Sequence, residues 1–158
     1  MFGEHHYRLT STWTGNTGTG TSDYRAYSRD ITVEIAGKPP LLASADKPFR
    51  GDPARWNPED MLLAALSECH LLSYLYVAVT AGVVVTDYRD DASGTMREDG
   101  KGGGQFTEVV LRPHVTVASA DMVDAATAAH QRANELCYIA NSVNCPVRHE
   151  PVIRVATA

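Results

Sequence analysis

One stretch decides the fold of this 158-residue chain: NPEDMLLAALSECHLLSYLYVAVT, residues 57–80. It predicts a long helix, because Asn57 is a good N-cap and Pro58 is tolerated at the first helical position. The negative charge of Glu59 suits the N-terminal end of the helix dipole, and Gly82 is a suitable stop. Apolar side chains surround almost the whole helix, which is typical of a helix enclosed by protein.

Polar residues interrupt this apolar helix at mid-length: Ser67, Glu68, Cys69, His70 and Ser73. Polar groups in a buried helix need partners, and the cysteine is the first candidate for chemistry. The chain has two further cysteines, Cys137 and Cys145. An odd number argues against a disulfide scaffold and indicates free or redox-active thiols, as in a cytosolic protein.

Composition and charge indicate a globular protein with one domain spanning residues 1–158, since 44% of the residues are apolar and 21% are charged. The net charge of −5 argues against a nucleic-acid or anionic-membrane surface. Charged residues interrupt the N-terminus, so no signal peptide is expected there. No membrane span is expected either, because Glu68 and His70 break the longest apolar segment. A cytoplasmic location follows as the expectation.

The segments around the helix predict an α+β fold. Alternating polar and apolar residues before the helix predict an antiparallel meander, with strands in residues 1–14, 27–35 and 41–44. The glycine-rich residues 15–21 lack the context of a phosphate-binding loop and indicate a hairpin connection. After the helix, strands are predicted in residues 83–88, 94–97, 106–118 and 146–155, with Pro113 at an edge or bulge.

A second helix is predicted after Ser119, which is a possible N-cap. Its apolar face is narrow and rich in alanine: Met122, Ala125, Ala126, Ala129, Ala133 and Leu136. Small residues allow another helix to approach closely, so we expect this face to pack on the first helix. Cys137 lies at the end of the same face, and Cys69 and Cys137 can therefore meet only through tertiary structure.

Three interpretations of the cysteines stay open at this level. Free cysteines are commonly buried small hydrophobic residues. A zinc site is a rival, with candidate ligands Cys69, His70, Cys137, Cys145 and His149, although no C-x-x-C motif supports it. Hydrolase chemistry of the Cys-His-Asn type would need His114 or His130 as the base, and no sequence motif supports that either.

Two motifs resemble the OsmC/Ohr family of peroxide-resistance proteins. The first is Asn57-Pro58-Glu59 with Cys69 ten residues after the glutamate, and the second is CYIANS at residues 137–142. The order of the predicted elements agrees with that family along nearly the whole chain. The resemblance implies an OsmC-like α+β fold, in which antiparallel β-sheets pack around two central helices of an intertwined homodimer. It also implies thiol-dependent reduction of organic hydroperoxides, with hydrogen peroxide a further candidate substrate, and no cofactor or metal.

By position, the resemblance assigns Cys69 as the peroxidatic cysteine and Cys137 as the resolving cysteine, with a dithiol or lipoyl-type reductant. Glu59 matches a glutamate that pairs with an arginine, and the arginine stabilises the thiolate. Such a cation is physically needed, because a thiolate in mid-helix receives no help from a helix N-terminus. Arg50 is the first candidate and Arg29 the second, with Arg25 a third.

Glu59 and Cys69 are about 15 Å apart along one straight helix. Unless the helix breaks, Glu59 must therefore serve the site of another subunit, and we predict that it does. The chain departs from the family where Tyr138, rather than proline, follows the second cysteine, and where His70 replaces an aromatic residue. Because fold does not fix function, a non-catalytic, small-molecule-binding member of the fold remains the alternative.

Overall fold

The computed structural model of the protein describes residues 3–157. The chain forms two compact units, residues 1–61 and residues 62–158.

The first unit is built on a three-stranded antiparallel sheet. Its strands are β1 (Thr10–Trp13), β2 (Ile31–Glu34) and β3 (Leu41–Ala43), in the order β1-β2-β3. The predicted meander is therefore confirmed, with shorter strands than the alternation indicated. Residues 1 and 2 of the predicted first strand lie outside the described residues. An isolated bridge between Asn16 and Tyr27 continues the β1–β2 pairing toward the predicted hairpin connection.

The loop before the long helix has a constrained backbone at Arg50 and Gly51. A short 3₁₀-helix, Lys47–Phe49, ends at Arg50, which adopts a left-handed conformation with φ of 64°. A Cβ atom on Gly51 would lie 1.5 Å from the carbonyl oxygen of Ala45, so only glycine fits there. Left-handed backbone is uncommon at a non-glycine residue such as Arg50. Arg50 stands directly before Gly51, where only glycine fits.

The long helix, α1 (Pro58–Thr80), has the ends that its sequence predicts. The side-chain oxygen of Asn57 accepts a hydrogen bond of 2.7 Å from the Asp60 N–H, and Gly82 ends the helix with φ of 70°. By length and composition alone, α1 is long and apolar enough to cross a membrane. The core helix of a soluble protein meets the same criterion.

The second unit contains two three-stranded sheets and the helix α2 (Val123–Leu136). One sheet has the order β4-β7-β9, with strands Val85–Asp90, Pro113–Val117 and Val152–Val155. The other has the order β5-β6-β8, with strands Ser93–Glu98, Gly104–Leu111 and Val147–His149. In each sheet the first pairing is antiparallel and the second, to the C-terminal strand, is parallel.

Two strands predicted as single are each divided between the two sheets. The segment 106–118 becomes β6 and β7, and the C-terminal segment becomes β8 and β9. Both crossings occur side by side, where Arg112 forms an ion pair of 3.1 Å with Glu150. The prediction of an edge or bulge for Pro113 was wrong. This proline is the first residue of the central strand β7, a position where its missing N–H is tolerated.

The main core of the second unit forms where α1, α2 and the β4-β7-β9 sheet pack together. Its buried residues are Tyr74, Val77, Ala78, Val83, Val115, Val117, Ala126, Ala129 and Ala133. The predicted packing of the alanine face of α2 on α1 is thus confirmed. Ser119 precedes a 3₁₀-turn, Ala120–Met122, that leads into α2, and its side chain makes no capping hydrogen bond.

Candidate active site

The thiols of Cys69 and Cys137 are neighbours, close enough that Cys69 raises the pKa of Cys137. Cys69 is at mid-length in α1, and Cys137 is the C-cap residue of α2. Packing of the alanine face of α2 on α1 brings the two thiols together although 67 residues separate them in the chain. All three cysteines of the chain are free, so the two contacting residues are reduced thiols.

The surroundings of the two thiols differ. Cys69 is half-buried, whereas Cys137 is only 1% exposed. Burial, together with the contact with Cys69, raises the pKa of Cys137 to about 11. The N–H of Ala140, 3.3 Å from the Cys137 sulfur, and the N–H of Ile139 offset part of that rise. Cys137 therefore remains protonated at neutral pH, and a protonated thiol is a poor nucleophile.

An open groove of about 650 Å³ runs past Cys69. Its lining is mostly apolar and comes from α1 and from the segment around the end of α2: Ala65, Glu68, Cys69, Leu72, Ser73, Tyr76, Leu136, Tyr138 and Ile139. Cys137 is not part of this lining. The groove therefore gives an apolar molecule access to Cys69, with the carboxylate of Glu68 as its charged group.

Three histidines, His70, His130 and His149, cluster in the interior of the second unit. The Nε2 atom of His70 lies 3.0 Å from Nδ1 of His130, and the rings of His70 and His149 are tilted by 30° with centroids 4.1 Å apart. Burial lowers the pKa of His70 to about 3 and that of His130 to about 4. His130, which the hydrolase interpretation named as a possible base, is buried, with 3% of its surface exposed. His70 is also buried, away from the groove, so it does not shape the groove lining.

Cys145 occupies a different place from the two contacting cysteines. It packs against the smaller core cluster around Leu66, Val109 and Leu111 and lines a second pocket with Phe106. Among residues 3–157, no group of three or more histidine, cysteine, aspartate or glutamate side chains has a geometry that could hold a metal ion. The zinc ligands considered from sequence are thus not assembled in the described structure.

Comparison with known proteins identifies the family. The family model described as OsmC-like protein matches residues 51–151. The chain belongs to the OsmC-like family. A solved OsmC-like protein of unknown function from Vibrio cholerae is 34% identical and has a TM-score of 0.84, with 94% of this chain and 100% of that chain covered. The expected OsmC-like α+β fold is therefore confirmed.

Two other relatives differ in what their names record. An organic hydroperoxide resistance protein from Elizabethkingia anophelis is 17% identical, with a TM-score of 0.66 and coverage of 97% of this chain and 99% of that chain. At that identity the likeness shows the fold alone. The uncharacterized protein YmaD from Bacillus subtilis is 24% identical over 143 residues, which cover 89% of this chain and 87% of that protein.

The other predicted site residues of this OsmC-like chain lie in the first unit. The guanidinium of Arg29 donates to the carbonyl oxygens of Tyr24 and Tyr27, at 2.8 and 2.7 Å, and lies against both rings. Arg50 lies over the Tyr24 ring at 5.8 Å. Within residues 3–157, neither arginine forms an ion pair. The Oε2 atom of Glu59 is buried and has no hydrogen-bond partner among those residues.

Sequence reasoning missed the groove-lining residues of α1. Leu72, Ser73 and Tyr76 follow Cys69 by three, four and seven positions, which places them on the same face of the helix as the cysteine. This spacing could have identified the three residues as neighbours of Cys69 from the sequence alone. Tyr138, which lies 82% exposed beside the buried Cys137, had no comparable signal.

Proposed function

We propose that this protein is a cysteine-based peroxidase that reduces organic hydroperoxides, with hydrogen peroxide a further candidate substrate. The observation that carries the proposal is the contact between two reduced thiols of unequal character, Cys69 beside an apolar groove and Cys137 buried behind it. A hydrophobic hydroperoxide has access to Cys69 through the groove.

The proposed reaction uses the two thiols in sequence. The Cys69 thiolate attacks the terminal oxygen of the hydroperoxide and the O–O bond breaks, which leaves Cys69 as a sulfenic acid. The departing alkoxide takes a proton from solvent and leaves as an alcohol. The Cys137 thiol condenses with that sulfenic acid, which forms a disulfide and releases water. An external dithiol, of lipoyl or similar type, then reduces the disulfide and is itself oxidised. Because the thiols of Cys69 and Cys137 are neighbours, the sulfenic acid and the second thiol are close enough to condense.

Glu59 and an arginine complete the proposed site. The continuity of α1 from Pro58 to Thr80 supports the prediction that Glu59 acts in the site of a second subunit. Exposed apolar residues of α1 that do not line the groove, Leu75 and Val79, favour a homodimer in which a second copy covers them. Arg50 is the preferred cation, because the donors of Arg29 are engaged by carbonyl groups.

Three free thiols suit the reducing cytoplasm, which is the proposed location.

Thiol counting after addition of cumene hydroperoxide tests this proposal. Under denaturing conditions, one equivalent of peroxide should remove two of the three thiols and produce a Cys69–Cys137 crosslink, identified by peptide mass. Retention of all three thiols would contradict the peroxidase function.

A second candidate is a binding protein without peroxidase activity. The observation that favours it is the mostly apolar groove beside Cys69, which suits a bound apolar ligand as well as a substrate. Under this alternative the groove binds an apolar ligand and the thiols resist substoichiometric peroxide, so the same thiol count separates the two.

A further inference from the structure

The two sulfur atoms of the proposed disulfide differ in their access to an external thiol. Cys69 lines the open groove, and Cys137 is 1% exposed and absent from the groove lining. Thiol–disulfide exchange requires the attacking sulfur to reach one specific sulfur of the disulfide. The walls of the groove therefore decide which of the two is attacked.

The sulfur of Cys137 also has hydrogen-bond donors that suit a leaving group. The Ala140 N–H lies 3.3 Å from it, and the Ile139 N–H adds a second favourable interaction with its charged form. Such donors stabilise a departing thiolate before it is protonated. Cys69, in the middle of α1, has its neighbouring backbone N–H groups engaged in the helix.

We propose that the reductant of the oxidised protein attacks Cys69 and expels Cys137. This inference rests on the peroxidase function proposed above, because that function supplies the disulfide. In the first step, a thiolate of the external dithiol bonds to the Cys69 sulfur, the Cys69–Cys137 bond breaks, and Cys137 leaves with the electron pair. Cys137 then takes a proton from solvent. In the second step, the other thiol of the dithiol, as its thiolate, attacks the reductant's own sulfur in the mixed disulfide and releases the Cys69 thiolate.

The raised pKa of Cys137 favours attack at Cys69 once the disulfide has broken. Burial raises the pKa of the free Cys137 thiol, so the released thiolate is protonated at neutral pH. A protonated thiol does not attack the mixed disulfide, and the reverse reaction is therefore slow. The same high pKa makes Cys137 a slow leaving group. The decisive factor is access, because no external thiol reaches the Cys137 sulfur in the described structure.

Trapping of the mixed disulfide tests this regiochemistry. A Cys145→Ser variant is oxidised with diamide, which makes the disulfide without peroxide, and is then treated briefly with 2-mercaptoethanol. Acid quenching, alkylation with N-ethylmaleimide and trypsin follow. Cleavage after arginine places Cys69 on peptide 56–89 and Cys137 on peptide 133–148.

The expected result is mercaptoethanol on the Cys69 peptide and N-ethylmaleimide on the Cys137 peptide, in at least about tenfold excess over the reverse pattern, as the difference in access requires. A reverse or equal distribution would overturn the proposal while leaving the peroxidase function intact. Failure of diamide to link Cys69 to Cys137 would overturn both. Wild-type protein, treated in parallel, shows whether the Cys145 thiol removes mercaptoethanol from Cys69 or Cys137.

Discussion

The Nε2 atom of His70 lies 3.0 Å from the Nδ1 atom of His130, in the interior between α1 and α2. The outer nitrogens, Nδ1 of His70 and Nε2 of His130, are buried without a partner among residues 3–157. Around the pair lie His149, the stacked ring of Tyr74 and, farther out, Tyr88 and Asp90. The site therefore holds uncharged imidazoles, because no carboxylate of residues 3–157 forms an ion pair with His70 or His130.

Acid should destabilise the protein through these rings. Burial holds the pKa of His70 at about 3, far below its value of about 6.5 in the unfolded chain, so the unfolded state binds the proton first. The stabilisation is fully present above pH 6.5 and is lost as pH falls toward 3, by up to about 1.4 kcal/mol per pH unit for His70. Urea unfolding at several pH values measures it. A His70→Phe variant should have a shallower slope, and an unchanged slope would contradict the assignment.

Peroxidase turnover should depend on Cys69 and Cys137 in different ways. Cys69→Ser should lower kcat/KM by more than about 1,000-fold, as removal of a nucleophile does. Cys137→Ser should still consume one equivalent of hydroperoxide and should then accumulate a sulfenic acid, detectable with dimedone. Cys145→Ser is the matched control and should keep wild-type activity. Equal loss in all three variants would point to unfolding, which circular dichroism would reveal.

Glu59 and Cys69 should complement each other between subunits. Glu59→Gln and Cys69→Ser chains, each inactive alone, are expressed together with different tags and purified as mixed dimers. If Glu59 acts on the partner's cysteine, each mixed dimer has one intact site and about half of the wild-type activity per dimer. Absence of activity in mixed dimers of confirmed composition would show that Glu59 acts on the cysteine of its own chain.

The arginines can be ranked by substitution. Arg50→Met should lower kcat/KM by roughly 100-fold or more, the usual effect of removing one group that stabilises developing charge. Arg29→Met should mainly lower stability, by about 1 kcal/mol for each lost hydrogen bond to Tyr24 and Tyr27. Arg25→Met tests the third candidate, and the exposed Arg97, which is not a candidate, provides the matched control. A larger loss of activity in Arg29→Met than in Arg50→Met would reverse the order.

Sequence predicted the helical framework well because its signals are local. Asn57 and Gly82 determine the two ends of α1, and the alanine spacing determines which face of α2 packs on it. The division of residues 106–118 into two strands was not predictable in the same way. An alternating pattern looks alike whether a strand stays in one sheet or passes into another, and the crossing at Arg112 depends on partners distant in sequence.

The cysteine pair was foreseeable from the family motif, whereas the histidine cluster was not. His130 and His149 belong to different elements, and only folding brings them to His70. Their burial contradicts the usual behaviour of polar side chains, so composition and periodicity gave no indication of it.

The ion pair of Arg112 and Glu150 marks the place where two neighbouring segments cross together from one sheet to the other. Only Arg112 joins β6 to β7, and only residues 150–151 join β8 to β9, so opening of one sheet should disturb the other. We therefore expect the two sheets of the second unit to behave as one cooperative block. Its amide protons share a common route to exchange with solvent, namely the opening of both sheets at once.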